Sequence, residues 1–150
     1  MKVRDLENLL GQTRDLDGFA SLITKTVCQN ELPVSLKPWV SYEEIDGSVL
    51  DFGMKIHHHK IEAIFDHKIV LTEDAIPALR GRFRFFDIGR FDTNEDPFFQ
   101  FTFNDVGATE LSISTGYFNR SQAMTPWTIQ EFTMQILKAF HAQNKDLNIS

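Results

Sequence analysis

The chain opens on an apolar stripe at helical spacing, Val3, Leu6, Leu9 and Leu10, and Gly11 follows where a helix would end. Phe19, Leu22, Ile23 and Val27 make a second stripe, with Asp17 placed as its N-cap. Two N-terminal helices are therefore expected. Pro33 and Pro38 then stop helical structure, and the period of the apolar positions changes to two. Val34, Leu36, Val40 and Tyr42 predict an edge strand, because Pro38 has no N–H to give a ladder. Leu50, Phe52, Met54 and Ile56 predict a second strand, and Ile61, Ala63, Phe65, Ile69 and Leu71 a third. Thr72 then begins a short helix over EDAIPAL, closed near Gly81 and weakened by Pro77.

Two further strands follow, one in which Phe83 and Phe85 alternate with arginines and one built on Phe99, Phe101 and Phe103. The turn at Asn104–Gly107 leads into Leu111 and Ile113 and predicts a hairpin. Thr115–Met124 shows no period and reads as a loop. Thr125 as N-cap and Pro126 at the first helical position then start a last helix, striped by Ile129, Phe132, Ile136, Leu137 and Phe140. Helices at both ends with strands between them are the α+β pattern. A single domain spanning residues 1–150 is expected, with an antiparallel sheet of about five to seven strands in the region 34–115 and helices packed on one of its faces.

Composition changes this picture in two places. Fourteen Phe against two Tyr and two Trp imply a ring-rich core, since each buried aromatic contributes a few kcal/mol, about 2–3. The formal charge of −6 works against nucleic-acid binding, which needs an excess of Lys and Arg. The single cysteine, Cys28, excludes an internal disulfide and reads as a structural thiol on an apolar helix face. The N-terminus has no uninterrupted apolar segment of a secretory signal, and no run approaches the ~20 residues that span a bilayer. A cytoplasmic protein without membrane association is expected.

The candidate chemistry begins at His57, His58 and His59. Ile56 and Ile61 stand at an odd spacing, so one regular strand cannot point both inward, and HHHK is either a turn or a bulge. A turn lacks its usual Gly, Asn, Asp or Pro here. A bulge would put His57 and His59 on one face, where a carboxylate such as Glu62 or Asp66 could complete a site for a divalent transition metal, the one cofactor the sequence suggests. His67, in phase with Phe65 and Ile69, reads as an inward, hydrogen-bonded histidine.

A second candidate is the row Arg80, Arg82 and Arg84, a basic ridge able to bind phosphate, carboxylate or an acidic patch, or else to pair with Asp87, Asp92, Glu95 and Asp96. The string RGRFRFF lacks the aromatic and small residues that the RNP1 element of RNA-recognition motifs requires. A third is the segment TGYFNR, where Tyr117, Phe118 and Arg120 have the make-up of a recognition surface. No nucleophile elbow, phosphate loop, dinucleotide fingerprint or zinc-protease string occurs, so no catalytic constellation is legible.

In size and charge the chain is similar to small bacterial accessory proteins, such as secretion chaperones and toxin-neutralising immunity proteins. That profile implies a non-enzymatic module that binds another protein. Two alternatives are a metal-binding protein or metal-dependent enzyme built on His57 and His59, and a small-ligand binder with a Phe-lined pocket between sheet and helix. Homodimerisation through the Val34–Tyr42 edge is also open, with Pro38 blocking part of it.

Overall fold

The structure, a computed structural model, describes residues 3–29, 31–88, 96–105, 108–111, 115–117 and 126–144. The element order is α1 (Val3–Gln29), β1 (Val40–Glu44), β2 (Phe52–Ile56), β3 (His59–Leu71), β4 (Pro77–Asp87), β5 (Phe99–Phe103), β6 (Ala108–Leu111), β7 (Thr115–Tyr117) and α2 (Pro126–Gln143). The strands form one antiparallel sheet in sequence order, β1 to β7, each paired with its neighbours. This is the expected α+β arrangement.

Alternation in the strands decides which face is buried. Phe52, Met54 and Ile56 of β2, Ile61, Ala63 and Phe65 of β3, Phe83 and Phe85 of β4, and Phe99, Phe101 and Phe103 of β5 are all buried. Both helices lie on that face. From α1, Phe19 meets Phe103 edge-on at 6.3 Å. From α2, Phe132 stands perpendicular to Phe101 at 5.0 Å and also reaches Phe85 and Phe99. Tyr42 of β1 is tied to α2 by a hydrogen bond between its hydroxyl and Thr133 Oγ1, 2.6 Å. Burial pushes the Tyr42 phenol well above its ordinary pKa, so it stays protonated. Most of the described Phe side chains thus pack ring against ring between one sheet face and two helices.

Phe103 needs room to lie flat on the sheet, and Gly81 provides it. A Cβ at position 81 would stand 2.4 Å from the Phe103 ring. Gly81 is therefore a strand glycine that lets a side chain approach the backbone, and not the end of a helix.

Four expectations are corrected. The N-terminal region is one helix, continuous through Gly11, which is exposed. The interior glycine costs about 1 kcal/mol, but Leu9 packs on the core and Gln12 Oε1 accepts the backbone N–H of Leu79, so tertiary contacts hold the helix together. Residues 34–39 form turns closed by the Pro33 and Leu36 carbonyls, and only Val40–Glu44 is strand. The segment 72–76 is the loop of the β3–β4 hairpin, where Thr72 N–H donates to the Ile76 carbonyl and Ala75 has φ 57°. Pro77 at the start of β4 favours that outcome, since its ring forbids a helical interior. Thr115–Tyr117 is a short strand paired to β6, where a loop was expected.

Candidate functional site

Two groups of side chains stand out. The first surrounds the histidine turn at one end of the sheet. β2 and β3 pair with Ile56 opposite His59, which leaves His57 and His58 as a two-residue loop. Both have positive φ, 48° and 73°, so the turn is of the I′ kind that suits the twist of a hairpin. There is no bulge, and Ile56 faces His59, not Ile61, whose partner is Met54. Glycine or asparagine normally fills such positions, because a Cβ makes left-handed backbone cost about 1–2 kcal/mol per residue.

Local contacts hold this strained turn. The backbone N–H of His57 donates to the Trp39 carbonyl, 3.0 Å, and the two rings lie 5.3 Å apart. His57 Nε2 and His141 Nε2, the latter from the last turn of α2, are 2.9 Å apart, and which ring donates follows from the tautomers. His59 turns elsewhere: its Nδ1 pairs with Asp87 Oδ2 at 2.9 Å and its ring packs edge-on against Phe140. Partial burial, then the imidazoles of His141, His59 and His58, lower the pKa of His57.

The predicted set His57, His59 and Glu62 is not assembled. Glu62 alternates with the buried Ile61 and Ala63 and so lies on the other face of the sheet. Among the described residues no group of three or more His, Cys, Asp or Glu stands close enough to hold a metal. His67 is on the helix side of β3 but at its margin, exposed, where Nε2 meets Asp17 Oδ1 at 2.8 Å. Asp17 is accordingly a hydrogen-bond partner inside α1 and not an N-cap. Nothing in the local sequence pairs positions 17 and 67, or 57 and 141, because those contacts follow from how the helices lie on the sheet.

The second group occupies the opposite sheet face, on which no described helix packs. Arg80, Arg82 and Arg84 do project together there, alternating with buried Gly81, Phe83 and Phe85. Among the described residues their carboxylate partner comes from β3. Asp66, directly across from Arg82 in the ladder, accepts from Arg82 Nε and Nη2 at 2.9 and 2.8 Å. The same carboxylate meets Arg84 Nη2 at 3.0 Å. Burial opposes ionisation of Asp66, but the hydrogen bonds and charge of Arg82 outweigh it, with Arg84 and His67 adding, and the net pKa is lowered.

Arg84 also lies over the Phe86 ring, 5.5 Å from its centroid, and its Nε is buried with no hydrogen-bond partner among the described residues. Arg80 donates to the Leu79 carbonyl. On this face β3 and β4 present five cations, Lys60, Lys68 and the three arginines, against two carboxylates, Glu62 and Asp66. Asp87 is engaged with His59, while Asp92 and Glu95 lie outside the described residues.

Of the third predicted group, Tyr117 is backbone-paired with Ala108 in β7, and Phe118 and Arg120 lie outside the described residues. Cys28 is half-buried, and burial, followed by Glu44 and Glu43, pushes its thiol up to about 11. It is a protonated packing group, poorly suited to nucleophilic attack. No described helix is long and apolar enough to cross a membrane. No protein family model, curated protein or solved structure matches this chain.

Proposed function

We propose that the protein is a non-enzymatic protein–protein interaction module whose sheet face opposite the two helices receives an acidic segment of a partner. The observation that carries this reading is the arginine row on β4. In a chain of formal charge −6, that face has cations in excess, and one carboxylate, Asp66, is shared between Arg82 and Arg84. Among the described residues Arg84 has its Nη2 paired with Asp66 and its buried Nε without an acceptor, so its guanidinium is not saturated by them. A buried donor left unsatisfied costs about 1–3 kcal/mol. Guanidinium groups fixed by a neighbouring carboxylate lose little entropy on binding a second one. Ile64 and Phe86 flank the row on the same face and supply the apolar contact that accompanies charged recognition.

Fluorescence anisotropy with a labelled Asp/Glu-rich peptide tests this. Wild-type protein should bind it with an affinity that falls as salt rises, because exposed charge pairs are screened. Arg84→Glu should abolish binding, and a Lys-rich control peptide should not bind. Equal binding by Arg84→Glu, or by the basic peptide, would remove the basis of the reading.

A further inference from the structure

The histidine turn takes no part in the arginine face, and its geometry supports a separate conclusion. Two features coincide there. The backbone at His57 is held left-handed although no glycine or asparagine is present, and the ring so positioned meets a second imidazole from α2 nitrogen to nitrogen. Strained backbone of this kind persists only where surrounding contacts enforce it, and it marks positions where a side chain must be aimed. We infer that His57 and His141 form a two-histidine site for a divalent transition metal of the nickel or copper type, with solvent filling the other coordination positions.

The imidazole ligands suit such an ion, and their spacing allows it. Imidazole nitrogens bind such ions at about 2.0–2.1 Å, so two ligands at right angles stand about 2.9 Å apart and two at a tetrahedral angle about 3.3 Å. The hydrogen-bonded nitrogens stand 2.9 Å apart, so the two rings are already within the span that either arrangement requires. The rings now meet nearly head-on, with centroids 5.1 Å apart, as a hydrogen-bonded pair does. To take a metal, each ring rotates so that the two lone pairs meet beside the line joining them. The donor imidazole then carries its proton on Nδ1 in place of Nε2, so no proton need be lost. Both side chains can make that movement, since one sits on a loop and the other on the last helical turn.

His59 is not a third ligand through Nδ1, which Asp87 holds, and His58 sits exposed at the other position of the loop. Among the described residues the site therefore has two ligands, one from each of two elements far apart in sequence. A bound ion would fasten the end of α2 to the β2–β3 turn.

The test is calorimetric titration of Ni²⁺ into the full, untagged chain at pH 7.5, with melting curves recorded with and without the ion. Wild type should show one saturable site per chain and a higher melting temperature with Ni²⁺, because a ligand that binds only the folded state stabilises it. His141→Ala should weaken binding at least about tenfold, since the second imidazole is no longer held at high effective concentration. His58→Ala should bind as wild type does. His57→Gly suits the left-handed backbone, so it keeps the turn while removing one ligand, and it should lose binding while remaining folded. Absence of a saturable site would overturn the inference. So would undiminished binding by His141→Ala, which would assign the ion to the histidine turn alone.

Discussion

Replacing His58 with glycine should stabilise the protein. His58 has φ 73°, and it is exposed at the loop, so truncating its side chain removes no core contact. Left-handed backbone costs a residue with a Cβ about 1–2 kcal/mol. Glycine escapes that strain but has more freedom to lose on folding, which offsets about 0.5–1 kcal/mol. The net gain expected for His58→Gly is therefore about 0.5–1 kcal/mol. For a chain of 150 residues each kcal/mol moves the melting temperature by about 2–4 °C, so the shift should be about 1–4 °C upward. Circular dichroism melts in a chelator-containing buffer, with urea unfolding alongside, would measure it. The urea midpoint should rise with an unchanged slope, since the native and unfolded surfaces stay the same. His58→Val, branched at Cβ and ill-suited to positive φ, should shift both midpoints the other way. A lower melting temperature for His58→Gly, or no loss for His58→Val, would refute a strained I′ turn at this position.

Other substitutions probe the core and the arginine face. Gly81→Ala should destabilise by about 1–3 kcal/mol in urea unfolding, because its Cβ would meet the Phe103 ring at 2.4 Å and Phe103 is held by Phe19, Phe65 and Phe83. Phe83→Ala, fully buried between neighbouring rings, should cost about 3–5 kcal/mol by the same measurement. Tyr42→Phe should cost only about 1 kcal/mol, since Thr133 Oγ1 still donates to the Ile129 carbonyl after the phenol is gone. Asp66 has a folded pKa below its usual value near 3.8, so its contribution to stability is complete above that pH and is lost as pH falls through the lower, folded value. Acid titration of stability should accordingly show a shallower decline below about pH 4 in Asp66→Asn than in wild type.

Much of the fold was legible because its signals are local. The alternation of Phe83 and Phe85 with arginines, and of Phe99, Phe101 and Phe103 with Gln100 and Thr102, specifies a strand and its buried face without reference to any partner. The stripe from Ile129 to Phe140 does the same for α2. The face shared by Arg80, Arg82 and Arg84 follows from the same period of two. Where local and tertiary preferences disagreed, the local reading failed. Gly11 resembles a helix end, yet α1 runs through it. The residues TEDAIP resemble a helix start, yet they close the hairpin whose long strands pair from Ile61–Asp87 to Leu71–Pro77.

What only the tertiary structure decided is the identity of each polar partner. Asp66 meets Arg82 because β3 and β4 pair in one register, and a shift of one residue would place them on opposite faces. His67 meets Asp17, and His57 meets His141, because both helices lie along one sheet face and carry distant residues to its margins. Such contacts leave no trace in local spacing. A periodic pattern encodes the direction in which a side chain points relative to its own backbone, whereas its partner depends on how separate elements pack. The sequence alone therefore determined the central strands, the last helix and their buried faces, and packing determined where α1 and the β3–β4 hairpin run and which histidines and arginines stand together.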